Sequence, residues 1–115
     1  GGIQVNAEGL RFSNEARGYS EQAVDVVAQP GHVAWDVYDE RLHRLMQEFD
    51  DYRDALEARA VVSAPDVAGL ARAAGLPAAA LAGTLAEVEA CVRGEAADRW
   101  GRDFTGKPPL APPYY

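Results

Sequence analysis

The spacing of apolar residues along the 115-residue chain predicts short strands and several helices. Across residues 32–39 every second side chain is large and apolar, and this period of two is typical of a half-buried strand. From residue 40 to residue 49 the apolar positions fall three or four residues apart, which predicts an amphipathic helix. These helical positions are Leu42, Leu45, Met46 and Phe49.

Turn and capping residues predict two elements in the first 30 residues. Gly9 separates residues 3–6 from residues 10–13, and we expect a β-hairpin with a three-residue loop because glycine accepts a positive φ. A helix is predicted to begin near Ser20, a residue type that caps helices. It should end before Pro30, because proline lacks the backbone N–H that continues a helix.

The second half of the chain predicts two more helices. Asp66 is a capping residue for a short helix that Gly75 ends, and Pro77 suits the first turn of a longer helix that ends at Gly94. The buried stripe of the longer helix is predicted to consist of Leu81, Leu85, Val88 and Val92. Residues 60–63 are interpreted as a short strand. Three to four helices with a β-hairpin and short strands do not alternate regularly, so the predicted fold class is α+β.

Charge and composition narrow the classes of function. The chain has 11 Lys and Arg against 18 Asp and Glu, a net charge of −7, which argues against nucleic acid and anionic membranes as partners. No apolar run approaches the ~20 residues of a membrane span. The single cysteine excludes an internal disulfide, and we expect a cytoplasmic protein. The first residue is not Met, and we expect a piece of a longer protein.

The histidine, cysteine and clustered acidic residues of the chain do not indicate a metal site or a catalytic nucleophile. His43 lies on the polar side of its predicted helix and is interpreted as a surface residue. Cys91 is interpreted as a small core residue rather than a nucleophile, because it has neither a nearby lysine nor a helix N-terminus to activate a thiolate. The acidic residues at 50–54 are interpreted as a solvated turn near the end of a helix rather than as metal ligands.

A polar cluster follows the predicted hairpin. Arg11 and Glu15 stand four residues apart, with Arg17 and Tyr19 just behind them. From the residues alone, the favoured interpretation is a surface charge pair at the end of a hairpin, and a functional site is the alternative.

The order of several short motifs resembles a known family. The run from Gly2 to Glu15, which includes Asn14-Glu15, is similar to the opening of the capping domain in bacterial-type fumarate reductase/succinate dehydrogenase flavoproteins. Residues 27–35 look most like the tricarballylate dehydrogenase branch. The other matching segments, in family order, are Ala28-Gln29, Val33 to Asp39, Leu70 to Gly75, Thr84, Trp100-Gly101-Arg102 and Pro113-Tyr114-Tyr115.

The resemblance implies that residues 1–115 are a single capping domain taken from a longer FAD-dependent oxidoreductase. That parent would hold FAD in a separate domain of the same polypeptide and transfer a hydride between flavin and a C–C bond of a carboxylate- or ketone-bearing small molecule. The chain alone is then expected to be inactive, to contain no cofactor-binding or metal-binding residues, and to form a homodimer if its domain face is exposed.

The resemblance also implies candidate site residues. Fumarate reductases place a proton-transferring arginine four residues after the Asn-Glu pair, and Tyr19 occupies that position here, as a tyrosine does in the similar ketosteroid dehydrogenases. Arg17 is the alternative proton donor, or a nearby cation that lowers the pKa of the residue at position 19. Glu15 is expected to lie behind Arg17 and Tyr19 and to hold them in position without contacting the substrate. The competing interpretation of Tyr19 is a buried ring that packs the hairpin against the first helix.

Two other interpretations of the whole chain remain open at this point. The first is a free-standing α+β binding or interaction module that has no flavin. The second is an unrelated small α+β protein in which Tyr19 faces no cleft.

Overall fold

A computed structural model describes residues 2–115 and confirms the α+β class. The described part contains five α-helices, two short strands and one turn of 3₁₀-helix at Pro30–His32. The strands are β1 (Ile3–Val5) and β2 (Trp35–Val37), and the helices are α1 (Tyr19–Val27), α2 (Glu40–Met46), α3 (Asp50–Glu57), α4 (Val67–Ala74) and α5 (Ala78–Val92).

The two strands form an antiparallel pair in which Ile3 lies opposite Val37. The prediction that residues 3–6 pair with residues 10–13 in a β-hairpin was wrong, because residues 10–13 form no strand. The predicted turn does form, and Gly9 has a φ of +78°. The Asn6 side chain accepts hydrogen bonds from the backbone N–H groups of Glu8 and Leu10 at 2.9 and 3.1 Å, and the Asn6 N–H donates to the Leu10 carbonyl at 2.9 Å.

The core lies between the strand pair and the α4–α5 hairpin. Asp66 caps α4 by accepting a hydrogen bond from the backbone N–H of Gly69 at 2.7 Å, and Gly75 ends it with a φ of +73°, so both predicted boundaries are confirmed. Leu81 on α5 is fully buried, as its predicted apolar stripe requires. The main core side chains are Ile3, Val5, Val37, Leu70, Leu76, Leu81, Val88 and Phe104.

Helices α1, α2 and α3 form a second, more open part of the molecule. None of the three contains a buried residue, and the predicted α2 stripe is only partly confirmed, because Leu45 and Phe49 are 56% and 61% exposed. Helix α1 begins at Tyr19, so Ser20 lies inside it and is not its cap.

Helix α3 is the element that the sequence pattern did not reveal. It begins at Asp50, so residues 50–54 stand at a helix start and not at a helix end as predicted. Carboxylates are favourable in a first turn because the helix dipole is positive there.

Both ends of the described chain lie beside the end of β2. Tyr115 and Tyr38 exchange backbone hydrogen bonds at 2.8 and 3.1 Å. A Cβ added to Gly2 would meet the carbonyl oxygen of Val37 at 2.9 Å, so the chain start is equally close. The predicted strand at residues 60–63 is absent, and only the residue that follows this segment, Ala64, forms an isolated bridge, with Tyr114.

Candidate functional site

A buried ion cluster stands directly behind the segment that contains the candidate residues. Arg11 donates to both carboxylate oxygens of Glu15 at 2.8 and 2.6 Å and to Asp98 at 2.6 Å. The side chains of Arg11 and Glu15 are 4% and 9% exposed. The interpretation of Arg11 and Glu15 as a surface charge pair was therefore wrong.

The cluster is closed by a second arginine and by aromatic rings. Arg102 donates to Glu15 at 3.2 Å and to the backbone carbonyl of Gly2 at 2.8 Å. The Arg11 guanidinium lies 5.1 Å from the ring centre of Trp100, and the Arg102 guanidinium lies 4.5 Å from that of Phe104. This packing joins the N-terminal segment to residues 98–104.

The charges of this cluster hold the carboxylates ionised. Burial alone would raise the pKa of Glu15, but the Arg11 hydrogen bonds and the backbone N–H of Gln4 outweigh it, so the pKa is lowered. Burial would likewise raise the pKa of Asp98, but the hydrogen bonds from the Arg11 side chain and the Arg102 backbone N–H outweigh burial, so this pKa is also lowered. Sequence reasoning missed Asp98, because it lies 87 residues from Arg11 and no periodic pattern connects them.

The three candidate residues occupy one rim of an open cleft. Tyr19 is 97% exposed, so the interpretation of a buried packing ring was wrong. Arg17 forms an ion pair with Asp25 on α1 and keeps its side chain 45% exposed. Tyr19, Arg17 and Glu15 all line the cleft, although Glu15 is bound by the ion cluster behind it.

The cleft has a volume of about 940 Å³ and lies between the strand pair and the helices α1 to α3. Its other walls are mostly apolar and aromatic. They include Ile3, Trp35, Tyr38, Leu42, Met46, Tyr52, Ala55, Val62 and Tyr115. A concave apolar surface of this size is typical of small-molecule sites.

A chain of hydrogen bonds runs through the aromatic wall. The Tyr38 hydroxyl contacts the Tyr52 hydroxyl at 2.8 Å, and the latter contacts His43 Nδ1 at 2.8 Å. His43 also stacks on the Tyr115 ring, with ring centres 4.1 Å apart, and the Tyr115 hydroxyl donates to Glu40. Burial, and then the hydrogen bond to Tyr52, raises the pKa of Tyr38. The interpretation of His43 as an isolated surface residue was wrong.

Other residues of the matching motifs support the fold. Asn6 Nδ2 donates to Gln29 Oε1 at 3.1 Å, and the Thr84 hydroxyl donates to the backbone carbonyl of Gly9 at 2.7 Å. The buried Asp39 accepts from Arg41 and from the backbone N–H of Ala111, at 2.6 and 3.2 Å. These contacts hold distant segments together and do not face the cleft.

The described residues do not fit a dinucleotide cofactor by themselves. Such a site needs a glycine-rich turn between a strand and a helix, whose N-terminus receives the pyrophosphate. Here β1 runs into the Gly9 turn, and β2 leads into α2, whose capping residue is the carboxylate Asp39. Residues 2–115 also contain no group of three or more His, Cys, Asp or Glu side chains that could hold a metal ion.

Structural comparison relates the chain to fumarate reductases. It aligns over its full length, at 28% identity and a TM-score of 0.83, with 20% of the chain of a flavocytochrome c3 fumarate reductase in an open conformation. It also aligns over its full length, at 23% identity and a TM-score of 0.81, with 79% of a fumarate reductase flavoprotein subunit chain from Lactobacillus plantarum, whose structure was determined by solution NMR. No protein-family model and no curated protein sequence matches the chain.

The fold is therefore that of a segment of fumarate reductase flavoproteins. The chain spans about a fifth of the flavocytochrome chain that it matches. Among residues 2–115 no helix is both long enough and apolar enough to cross a membrane.

Proposed function

We propose that this chain is the capping domain of an FAD-dependent oxidoreductase, inserted in a longer polypeptide that binds the flavin elsewhere. The observation that carries the proposal is the match of the whole chain to one fifth of a flavocytochrome c3 fumarate reductase chain. The absence of a pyrophosphate site in the described residues agrees with FAD being held by a separate domain.

The position of the chain ends supports an insertion. Gly2 and Tyr115 both border the cleft and both lie against Tyr38. A domain whose two ends leave side by side can be inserted in a second domain without disturbing either fold. In the proposed arrangement, the FAD-binding domain is the partner and faces the cleft.

The residues of this chain would contribute water exclusion and proton transfer. The flavin would supply the hydride chemistry, and this chain would act at the neighbouring substrate carbon. Tyr19 is the proposed proton donor or acceptor, because its side chain is exposed at the cleft rim and it stands four residues after Asn14-Glu15, the sequence position at which the resembling enzymes have their proton-transferring residue. Arg17 is the proposed alternative, and Glu15 stabilises the segment that carries both.

The substrate proposed for the parent bears a carboxylate or a ketone. Within the family, the likeness of residues 27–35 supports a place near the tricarballylate dehydrogenase-like members. That likeness concerns the last residue of α1, the 3₁₀ turn and the first residue of β2, and it includes none of the charged residues that line the cleft.

The proposal is tested first on the encoded polypeptide. We expect the full reading frame to contain a Gly-x-Gly-x-x-Gly segment after a strand, and the purified parent to show the absorbance of bound flavin. A reading frame without that segment, or a colourless parent, would instead favour a free-standing binding module.

The role of Tyr19 is tested in that parent by Tyr19→Phe, which removes one hydroxyl. We expect turnover to fall by about 10²–10⁴. The melting temperature should hardly change, because the variant keeps the aromatic ring and the side chain makes few contacts within this chain, where it is 97% exposed. Arg17→Ala is the matched comparison. If only Arg17→Ala loses turnover, the arginine is the proton-transferring residue. If both variants keep full activity, the proton-transferring residue lies outside this chain.

A further inference from the structure

Tyr114 and Tyr115 lie between two backbone segments. Tyr115 exchanges backbone hydrogen bonds with Tyr38 at 2.8 and 3.1 Å, and Tyr114 exchanges them with Ala64 at 2.9 and 3.0 Å. The bridges that Tyr114 forms with Asp39 and with Ala64 are both antiparallel. Because the backbone groups of consecutive residues in an extended chain point to opposite sides, the two partners flank this segment on its two edges. Residues 114–115 are therefore the middle of a short three-stranded arrangement.

The register of these two pairings extends beyond Tyr115. In an antiparallel pair, each step forward along one segment is a step back along its partner, and the hydrogen-bonded positions recur at every second residue. On the side of Ala64 the next such position is Val62, which falls opposite the first residue after Tyr115. On the side of Tyr38 it is Asp36, which falls opposite the second residue after Tyr115.

The backbone groups at these two positions lack partners in the described part of the chain. Residues 61–63 form no backbone hydrogen bond there. Asp36 directs its N–H and C=O to the same side as Tyr38, away from β1, and among residues 2–115 no other backbone group bonds to it on that side. An unpaired edge of this kind can bind another extended segment through its backbone.

The cleft contains open space between the two edges. Its lining includes residues 34–36 on the side of β2, residues 60–62 on the other side, and Tyr115 at one end. The first residue after Tyr115 would fall on the same face as Tyr114, which packs against the core. An apolar side chain there would cover Val62, which is 39% exposed.

We propose that the segment following Tyr115 in the parent polypeptide continues as a strand in the gap between β2 and residues 60–62, where it exchanges backbone hydrogen bonds with Val62 and then with Asp36. This inference rests on the proposed function in one respect, the continuation of the parent beyond Tyr115. The gap is then filled by the backbone of the protein itself. The part of the cleft left for a substrate is the part that borders Arg17 and Tyr19.

The gap is tested by adding Val-Thr-Val after Tyr115 of the 115-residue chain and measuring amide hydrogen exchange by NMR. Valine and threonine favour strands, and the first valine takes the position that faces the core. We expect the amide hydrogens of Asp36 and Val62 to exchange about tenfold or more slowly than in the chain without the extension, because each gains a carbonyl acceptor. The Ser63 amide should keep its rate, since it points away from the added strand.

An extension of three prolines is the matched control. It adds the same number of residues but no N–H donor, and proline does not fit the interior of a sheet. We expect the amides of Asp36 and Val62 to exchange in this control as they do without any extension. Light scattering of the Val-Thr-Val chain should give the same mass as the unextended chain at the same concentration.

The proposal is overturned if the Val-Thr-Val chain leaves the exchange of either amide unchanged, if the proline extension slows both equally, or if both amides are already protected in the unextended chain. Protection that appears together with a doubled mass would assign the two edges to a second copy of the chain and would also overturn it.

The parent separates this inference from the proposed function. In the flavin-containing parent, hydrogen exchange resolved to single amides should show Asp36 and Val62 protected and Ser63 not. A flavin-containing parent in which Asp36 and Val62 exchange as fast as in the isolated chain would refute only the strand. A parent that lacks flavin but protects these two amides would refute only the proposed function.

Discussion

Arg11 is the residue whose replacement should be most damaging to the fold, and the reason lies in its two carboxylate partners. Arg11 makes three hydrogen bonds shorter than 3 Å, two to Glu15 and one to Asp98. Arg11→Met keeps most of the length of the side chain but removes its positive charge. Glu15 and Asp98 then stay buried, with Arg102 as the remaining cation of the cluster. Removing one partner of a buried ion pair costs about 3–5 kcal/mol, because the remaining charge is then uncompensated.

This loss is a large fraction of the stability of a small domain, which is about 5–15 kcal/mol. Urea unfolding of the wild type and Arg11→Met at pH 7 measures it, and with an m value of about 1–3 kcal/mol per molar the midpoint should fall by about 1 M or more. Arg93→Met is the matched control, because Arg93 and Glu89 form a pair whose side chains are 59% and 46% exposed. Such surface pairs contribute about 0–1 kcal/mol.

The pH dependence gives an independent check. The pKa values of Glu15 and Asp98 are lowered in the folded state, so their contribution is present at neutral pH and is lost as the pH falls through those lowered values. The stability difference between wild type and Arg11→Met should therefore shrink from pH 7 towards pH 3. A loss below about 1 kcal/mol at pH 7, or a difference that does not change with pH, would refute the argument that buried charge dominates here.

Three other outcomes are expected. Titration of FAD with the chain should leave the fluorescence of free FAD unchanged, because the described residues offer no pyrophosphate site, and micromolar binding would contradict this. Thr84→Val should lower the free energy of unfolding by about 1–3 kcal/mol, since the buried Gly9 carbonyl loses its donor, with unchanged stability as the contrary result. Light scattering should give a mass that rises with protein concentration, because the apolar side chains of Val24, Leu45 and Phe49 are more than half exposed. A strict monomer at high concentration would argue against an exposed apolar surface that drives self-association.

Several features of the fold follow from local sequence. Asp66 and Gly75 bound α4 as predicted, because capping and the left-handed backbone depend on the residue itself and its nearest neighbours. The fully buried Leu81 was likewise predicted from periodicity, since the spacing of apolar residues selects the inward face of a helix. The irregular alternation of predicted helices and strands was enough to predict the α+β class, and the order of short motifs was enough to predict the likeness to fumarate reductase flavoproteins.

Long-range partners were decided only by the tertiary structure. The sequence favoured pairing β1 with residues 10–13, but β1 pairs with β2 about thirty residues further on, a choice that depends on which apolar faces meet in the core. Helix α3 was missed because it is short and mostly polar, with Tyr52, Ala55 and Leu56 as its apolar positions. The free-energy cost of loop closure rises only slowly with loop length, so a distant segment can pair with β1 almost as readily as a near one. The local sequence pattern therefore does not indicate which of them pairs.

The candidate site divides in the same way. The sequence by itself determined which side chains stand in the segment from Arg11 to Tyr19, and the family resemblance selected Tyr19, Arg17 and Glu15. Only the tertiary structure buried Arg11 against Asp98 and exposed Tyr19 at the rim of a cleft. It also joined His43 to the aromatic wall. Burial and charge neutralisation depend on every surrounding group, and those groups come from segments that are far apart in the chain.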